Sequence, residues 1–481
     1  MDTVDNAATS PHAVWRIRTA VALRANWELL LLPVVVTVAV IPQYRWPIHY
    51  NEAVFLVFGR EILEGGLPYR DLVDLKPPLI YYLYALVQGL TGDGFMVTRV
   101  LIYLSLGLTS VLVALIAREF YGRWFGFVAG LAFALSAGLM AIAPSAGLDQ
   151  LMLLPLAVAI HTVFGWRWGS DTKHLVGAGF AIGVAMLLKP TLLPIAVFFA
   201  GVVLMRSRSL LPPLLLTGAA LAIGGLAILA IALIGILPEA YDSIVVFGAE
   251  YAAGGWRSVE VARDTALFFG VAISPLLIPA GMTLAIFVVT RDTRLQLMGG
   301  LLAAALISVA LSGQFLAYYA AILLPPLALL SPGALEWAGR RSRPQRVAVR
   351  ALCMLAVGLA VFVQFTAVGA MDFPDSPAGP IGRAVSAAAS PDDRLWVRAN
   401  FPQVYYYAGL QPAHRYFIAQ GIRPTAERDA VADLTATPPR FIVIEQRNDY
   451  PPLLALLEER YEVLAVEERD AVRLTAYRRR D

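Results

Sequence analysis

The sequence predicts a polytopic α-helical membrane protein that carries a small C-terminal α/β domain. Three observations support this fold class. The 481 residues are 58% hydrophobic and only 15% charged, whereas a soluble domain carries roughly 25% charged residues. Long apolar runs recur as far as about residue 371. From about residue 372 the apolar runs shorten to strand length and the charge rises, which is typical of a small sheet domain.

Eleven apolar runs are long enough, or nearly so, to cross about 30 Å of hydrocarbon. They lie at 27–42, 97–117, 123–142, 148–166, 174–189, 191–206, 211–237, 265–290, 296–312, 314–332 and 348–370. A twelfth run, Pro78–Leu90, is short and begins at the second of two consecutive prolines, so we interpret it as an interfacial or re-entrant helix. The five basic loops that follow, from Arg118–Arg123 onward, then all face the cytoplasm together with the N-terminus, as the positive-inside rule requires.

The same count divides the chain into a transmembrane domain, 1–371, and an external domain, 372–481. It also places the first loop, 43–96, and a second loop, 238–264, on the external side of the membrane. The external domain is predicted to contain strands at Arg394–Arg398, Arg415–Ile418, Arg440–Gln446, Glu462–Glu467 and Val472–Arg478, with a helix at Pro452–Arg460.

The balance of charge and the cysteine count exclude several classes of function. A net charge of +3 is too small to indicate a nucleic-acid partner. The single cysteine, Cys353, lies inside an apolar run, so there is no disulfide framework and no thiolate metal site. The expected partners are therefore membrane lipids and substrates at the membrane surface.

The first loop is unusually charged for so apolar a chain. It contains Asn51-Glu52, then Asp71 and Asp74, and Lys76 before two prolines. Charged side chains beside a bilayer are costly to maintain, so such a cluster is a candidate functional site.

The stretch from Asn51 to Pro78 resembles the first external loop of the bacterial GT-C membrane glycosyltransferases, which are related to protein O-mannosyltransferases and to the lipid A aminoarabinose transferase. Three later segments also resemble that family, and their order and spacing extend the likeness over nearly the whole chain: Leu187–Thr191, Gly313–Tyr319 and Pro438–Ile444. The resemblance implies an enzyme of the bacterial inner membrane. Such an enzyme moves a sugar from a polyprenyl-phosphate donor to a lipid, glycan or protein hydroxyl at the external face.

The resemblance also implies that an acid in the first loop acts as the catalytic base. The family normally has aspartate where this chain has Asn51, and an amide cannot accept the proton. Glu52 is then the nearest candidate, followed by Asp71 and Asp74. Each acid also has a purely structural interpretation, because Glu52 can favour the helix dipole and the two aspartates can stabilise turns.

Cations are needed against the negative charge of the leaving phosphate, and four basic residues are candidates for that role: Lys76, Lys189, Arg99 and Arg257. Five further residues are candidates for substrate contacts: Asn51, Tyr69, Asp149, Tyr318 and Tyr319. Their structural alternatives are snorkelling to the interface for the cations and packing within the helix bundle for the tyrosines. The glycine pair before Trp256-Arg257 suits a lid that orders on substrate.

The sequence leaves alternatives open for both the use of a cofactor and the class of function. The first-loop acids can ligate a divalent cation through oxygen, but no dedicated ligand set is evident, so no cofactor is assigned. A lipid-linked sugar transporter or flippase would use the broken span at Leu188–Pro190. A catalytically inactive relative that binds the lipid carrier would explain Asn51.

Overall fold

The computed structural model describes most of the chain. The described residues are 26–41, 44, 46–140, 147–167, 171–255, 273–313, 317–362, 376–418, 424–446, 450–469 and 472–480. The predicted domain boundary at 371/372 lies outside them, and so does Arg257, one of the four predicted phosphate-binding residues.

The first part of the chain is a bundle of apolar helices. In chain order these are α1 (Trp27–Val40), α2 (Tyr50–Leu63), α3 (Leu79–Thr91), α4 (Gly94–Tyr121), α5 (Arg123–Met140), α6 (Leu148–Gly165), α7 (Lys173–Leu188), α8 (Pro190–Ser207), α9 (Leu211–Leu233), α10 (Ser274–Thr290), α11 (Arg294–Leu311), α12 (Tyr318–Gly339) and α13 (Arg343–Phe362). Among the described residues, α4, α6, α8, α9, α11 and α12 are long and apolar enough to cross a membrane, and α1, α3, α5, α7 and α10 are shorter apolar helices. The predicted polytopic helical fold class is confirmed.

The first loop folds into the helix pair α2 and α3, which pack against each other. Phe58 of α2 stacks on Tyr81 of α3, with ring centroids 4.0 Å apart and an interplanar angle of 14°. Helix α3 has 13 residues, and at 1.5 Å per residue it is about 20 Å long, which is too short for a bilayer core. This length agrees with the interpretation of Pro78–Leu90 as a non-spanning helix.

The C-terminal part is a mixed five-stranded sheet with helices on both faces, so the predicted small α/β domain is present. Its elements are α14 (Ala378–Ala388), β1 (Arg394–Arg398), α15 (Gln403–Ala408), β2 (Gln411–Pro412), α16 (Pro424–Ala436), β3 (Phe441–Glu445), α17 (Pro451–Arg460), β4 (Tyr461–Arg469) and β5 (Val472–Arg479). The strand order is β2-β1-β3-β5-β4. Strand β1 runs parallel to β2 and β3, and β5 runs antiparallel to β3 and β4.

Alternation along β1 divides the packing of this domain between two cores. Leu395 and Val397 join the large core that is continuous with the helix bundle. Trp396, on the opposite face, packs in a separate cluster with residues of α16 and α17. Successive side chains of a strand point to opposite faces of the sheet, so β1 is buried on both faces.

One predicted strand of this domain is wrong. Arg415–Ile418 is irregular, and the edge strand β2 lies earlier, at Gln411–Pro412. The carbonyls that a strand ladder would use are occupied elsewhere. The Arg415 carbonyl accepts a hydrogen bond from Val73 N–H of the first loop, and the Tyr416 carbonyl accepts one from the Trp396 indole.

Candidate functional site

A cavity of about 560 Å³ lies where the first loop, the ends of several helices and the C-terminal domain meet. Its walls are largely apolar, and the polar residues that line it include most of those predicted from sequence. Seven of the twelve predicted site residues line it: Asn51, Asp74, Lys76, Asp149, Lys189, Tyr318 and Tyr319. The structure therefore brings together residues that are up to 268 positions apart in the chain.

A break between two helices places Lys189 in this cavity. Helix α7 ends at Leu188, Lys189 is extended (φ −143°, ψ 98°), and Pro190 begins α8. This geometry follows from the sequence, since a residue before proline avoids the helical conformation and proline is favoured in the first turn of a helix.

Lys189 pairs with Asp149, which lies in the first turn of α6. Both residues are almost fully buried, with 8% and 5% exposure respectively. The Lys189 ammonium also lies 3.9 Å from the ring centre of Tyr319, close enough for a cation–π interaction. These contacts hold a positive charge at the cavity wall. The Lys189 ammonium contacts Oδ1 of Asp149, so Oδ2 takes no part in this contact.

A second lysine–aspartate pair, from the first loop, lies in the same cavity. The Lys76 ammonium is 2.9 Å from Asp74 Oδ2 and 3.2 Å from Oδ1. Asp74 also accepts hydrogen bonds from the Tyr81 hydroxyl (2.9 Å) and from Leu75 N–H (2.8 Å). Since a carboxylate offers about four lone-pair sites, the hydrogen-bonding capacity of Asp74 is essentially filled.

Asn51 lies at the start of α2 and lines the cavity together with Tyr318. The rings of Tyr318 and Tyr319 meet edge to face, with centroids 4.9 Å apart. His49 lines the cavity as well. Burial, with help from the nearby Arg99 charge, lowers the pKa of His49 to about 4, so its ring is neutral near pH 7 and a weak base.

Glu52 and Arg99 face each other and do not line this cavity. Two guanidinium nitrogens of Arg99 donate to the two Glu52 oxygens at 2.6 and 2.7 Å, and His49 N–H donates to Oε2 at 2.9 Å. Arg99 also donates to the carbonyls of Trp46 and Pro47. This bidentate pair ties the entry of α2 to α4, so its geometry fits the structural interpretation better than the predicted roles of base and phosphate ligand.

Asp71 and Tyr69 also lie away from the cavity lining. Asp71 accepts from Arg70 and from Leu67 N–H, and the Arg70 guanidinium is the main cause that lowers the pKa of this carboxyl. Tyr69 is fully buried and has φ 69°. A non-glycine residue in this left-handed region costs about 1–2 kcal/mol, so the surrounding contacts must hold the turn.

Several cavity residues had no signal in the sequence. Asn400 and Ile418 of the C-terminal domain contribute to the wall, together with Tyr50 of the first loop and Tyr251 from the segment after α9. Their common feature is that only tertiary packing brings them to the site. The aromatic residues Tyr50 and Tyr251 flank motifs that we singled out, but nothing in their spacing indicated a shared cavity.

The polar groups of this site do not fit a divalent metal. Among the described residues, no group of three or more His, Cys, Asp and Glu side chains is placed to hold a metal ion. Each cavity aspartate is already held by a lysine, whose positive charge opposes a cation at the same place. We therefore assign no step of the chemistry to a metal.

Known proteins resemble this chain in both sequence and structure. A family model described as dolichyl-phosphate-mannose-protein mannosyltransferase matches residues 75–234. ArnT from Cupriavidus metallidurans bound to undecaprenyl phosphate has a TM-score of 0.65 and 17% identity, over 94% of this chain and 97% of ArnT. Its apo state has a TM-score of 0.63 and 16% identity, over 95% and 98% of the two chains.

A more distant match extends the same likeness to a larger protein. The Archaeoglobus fulgidus oligosaccharyltransferase in complex with Zn and sulfate has a TM-score of 0.50 and 14% identity, over 89% of this chain and 69% of that one. No curated protein sequence matches the chain. The family match and the shared architecture confirm the resemblance, and the chain has the fold of the GT-C membrane glycosyltransferases.

Proposed function

We propose that this protein transfers a sugar from a polyprenyl-phosphate donor to an acceptor hydroxyl. The observation that carries the proposal is the meeting of Lys76 and Lys189 in one cavity with largely apolar walls. Cations suit the phosphate of such a donor, and apolar walls such as Leu188 and Phe247 suit its hydrocarbon chain. The donor class also agrees with the undecaprenyl phosphate named for ArnT.

In the proposed reaction, the acceptor oxygen attacks the anomeric carbon of the sugar. A new C–O bond forms on one face while the bond to the phosphate oxygen breaks on the other, which inverts the configuration. The electron pair leaves with the polyprenyl phosphate, and the acceptor proton passes to a carboxylate. Lys76 and Lys189 stabilise the negative charge that grows on the phosphate.

We assign the proton acceptor to Asp149 in preference to Glu52. The Glu52 carboxylate is enclosed by the Arg99 guanidinium, and Asp74 accepts four hydrogen bonds. Asp149 lines the cavity, and its contact with Lys189 uses only Oδ1. When the donor phosphate draws the Lys189 ammonium toward itself, Asp149 Oδ1 is released from the lysine and can take the acceptor proton.

We further propose that the cavity faces the outside of the bacterial inner membrane. The support is the distribution of basic residues, which favours a cytoplasmic side opposite the first loop and the C-terminal domain. A periplasmic reporter such as alkaline phosphatase, fused after Asp481, should be active. If only a cytoplasmic reporter is active when fused at the same position, the orientation is the reverse of the one proposed.

The direct test of function is transfer in proteoliposomes that contain a labelled polyprenyl-phosphate sugar and membrane acceptors. We expect wild-type protein to transfer label, and Asp149→Asn to reduce turnover by roughly 10²–10⁴-fold, the usual contribution of a general base. The matched control is Asp171→Asn, an exposed aspartate in the loop between α6 and α7 that does not line the cavity. The control should transfer at the wild-type rate.

Other outcomes would identify the alternatives. Carrier binding without transfer by the wild type would favour an inactive relative, and movement of the labelled lipid between leaflets without transfer would favour a flippase. Full activity in Asp149→Asn with loss in Asp74→Asn would reassign the base to Asp74.

A further inference from the structure

We propose that Arg415 of the C-terminal domain is a positioning residue for Lys76. The inference rests on the proposed function for the role of Lys76 at the donor phosphate. The C-terminal domain would then help to position a residue of the donor site. Neither the sequence motifs nor the matches to known proteins assign it this role.

Arg415 contacts the first loop through both its side chain and its backbone. Its Nη2 donates to the Tyr69 carbonyl at 2.6 Å, and its carbonyl accepts from Val73 N–H at 3.0 Å. The two hydrogen bonds hold the turn from Tyr69 to Val73 at both of its ends. Within the turn, Tyr69 N–H donates to the Leu72 carbonyl at 2.7 Å.

This turn is strained, and the residues that follow it line the cavity. Tyr69 adopts the left-handed conformation, which needs external contacts to persist. Its hydroxyl donates to the Lys76 carbonyl at 2.8 Å, and the Lys76 ammonium pairs with Asp74. The position of the Lys76 backbone therefore depends on Tyr69, and that of Tyr69 depends on Arg415.

The segment that carries Arg415 is firmly attached to its own domain. The Trp396 indole donates to the Tyr416 carbonyl at 2.9 Å, and the Tyr405 hydroxyl donates to the Phe417 carbonyl at 2.8 Å. Ile418, at the end of this segment, lines the cavity itself. A fixed segment can transmit position, whereas a freely moving one cannot.

A second arginine offers a matched control, because it also joins the first loop to the C-terminal domain. Arg60 Nη1 donates to the Gly409 carbonyl at 2.6 Å. Arg60 lies near the far end of α2 and contacts neither the Tyr69 turn nor the cavity. Loss of Arg60 therefore removes an interdomain hydrogen bond but leaves the Lys76 turn untouched.

The experiment compares Arg415→Met with Arg60→Met in purified full-length protein. Hydrogen–deuterium exchange of the peptide around 67–78 should increase in Arg415→Met and stay at the wild-type level in Arg60→Met. Binding of undecaprenyl phosphate should weaken about tenfold in Arg415→Met and remain unchanged in Arg60→Met. Arg415→Lys, which retains one donor for the Tyr69 carbonyl, should recover part of the affinity.

The pair Arg415→Met and Lys76→Met separates positioning from general damage. If Arg415 acts through Lys76, its replacement should weaken binding little further once Lys76 is gone. Additive losses, or equal exchange around 67–78 in the two arginine variants, would overturn the inference. If exchange rises as expected but Lys76→Met binds the lipid normally, the positioning holds and the phosphate role of Lys76 in the proposed function fails.

Discussion

Two buried carboxylate–cation pairs in this protein differ in whether they are accessible to a ligand in the cavity. Glu52–Arg99 is a bidentate pair whose oxygens also accept a backbone N–H, and its partners are 2% and 4% exposed. Asp149–Lys189 is also buried, at 5% and 8% exposure, yet both residues line the cavity. A buried charge therefore does not identify a site by itself. An accessible lone pair and a partner that can move toward a ligand are the informative features.

The largest effect should come from breaking the Glu52–Arg99 pair, which we call the closed pair. Glu52→Gln leaves the Arg99 guanidinium buried without its counter-ion, and we expect a loss of about 3–5 kcal/mol in the free energy of unfolding. Turnover per folded molecule should stay close to wild type. Denaturant titration and transfer assays on the same preparation measure the two quantities.

The double variant Glu52→Leu/Arg99→Met is the control for that experiment. It removes both charges together, so most of the lost stability should return. If Glu52→Gln instead keeps its stability and loses turnover by orders of magnitude, Glu52 is the base after all and the two pairs exchange their roles.

The contrast between these pairs also marks what the sequence could and could not predict. Apolar runs determine the helices, and the strands at Arg394–Arg398 and Phe441–Glu445 follow from local patterning. Glu52 meets Arg99 across 47 residues, and that contact depends on how α2 packs against α4. The motif thus indicated the loop that reaches the cavity but not which of its acids lines it, since a motif does not record which way a side chain faces.

The Arg415–Ile418 segment shows the same limit in the C-terminal domain. Its aromatic and branched side chains are typical of a strand, and Phe417 and Ile418 are indeed buried. The backbone, however, bonds to Val73 of the first loop and to side chains of its own domain. Burial was predictable from residue type, whereas the identity of the hydrogen-bonding partners was not.

A smaller effect should come from the cation of the Asp149–Lys189 pair, which we call the open pair. Lys189→Met removes a charge from the cavity wall, and we expect undecaprenyl phosphate to bind about tenfold more weakly, which is about 1.4 kcal/mol. Stability should fall, because Asp149 is left without its counter-ion, but by less than in Glu52→Gln, because Asp149 lines the cavity. Lys173→Met, at a lysine that is 89% exposed, is the control. Equal binding by the two variants would remove Lys189 from the phosphate site.

The smallest effect is expected at Asn51, where the resemblance to the GT-C family implies an aspartate. Asn51→Asp adds a negative charge beside Tyr318 in a cavity whose four charged lining residues sum to zero. We expect donor binding to weaken roughly threefold through repulsion of the phosphate and turnover to change by a similar factor. Transfer and binding assays on the single variant measure both.

The informative combination is Asn51→Asp with Asp149→Asn. If a carboxylate at either place can accept the proton, the combination should regain part of the turnover that Asp149→Asn loses. A gain of several orders of magnitude from Asn51→Asp alone would instead mean that the wild-type cavity has no effective base. Asp149 would then be as structural as Glu52, and the open pair would serve only to hold the donor. Because the two results differ by orders of magnitude, this one position decides whether the open pair acts on the proton or only on the phosphate.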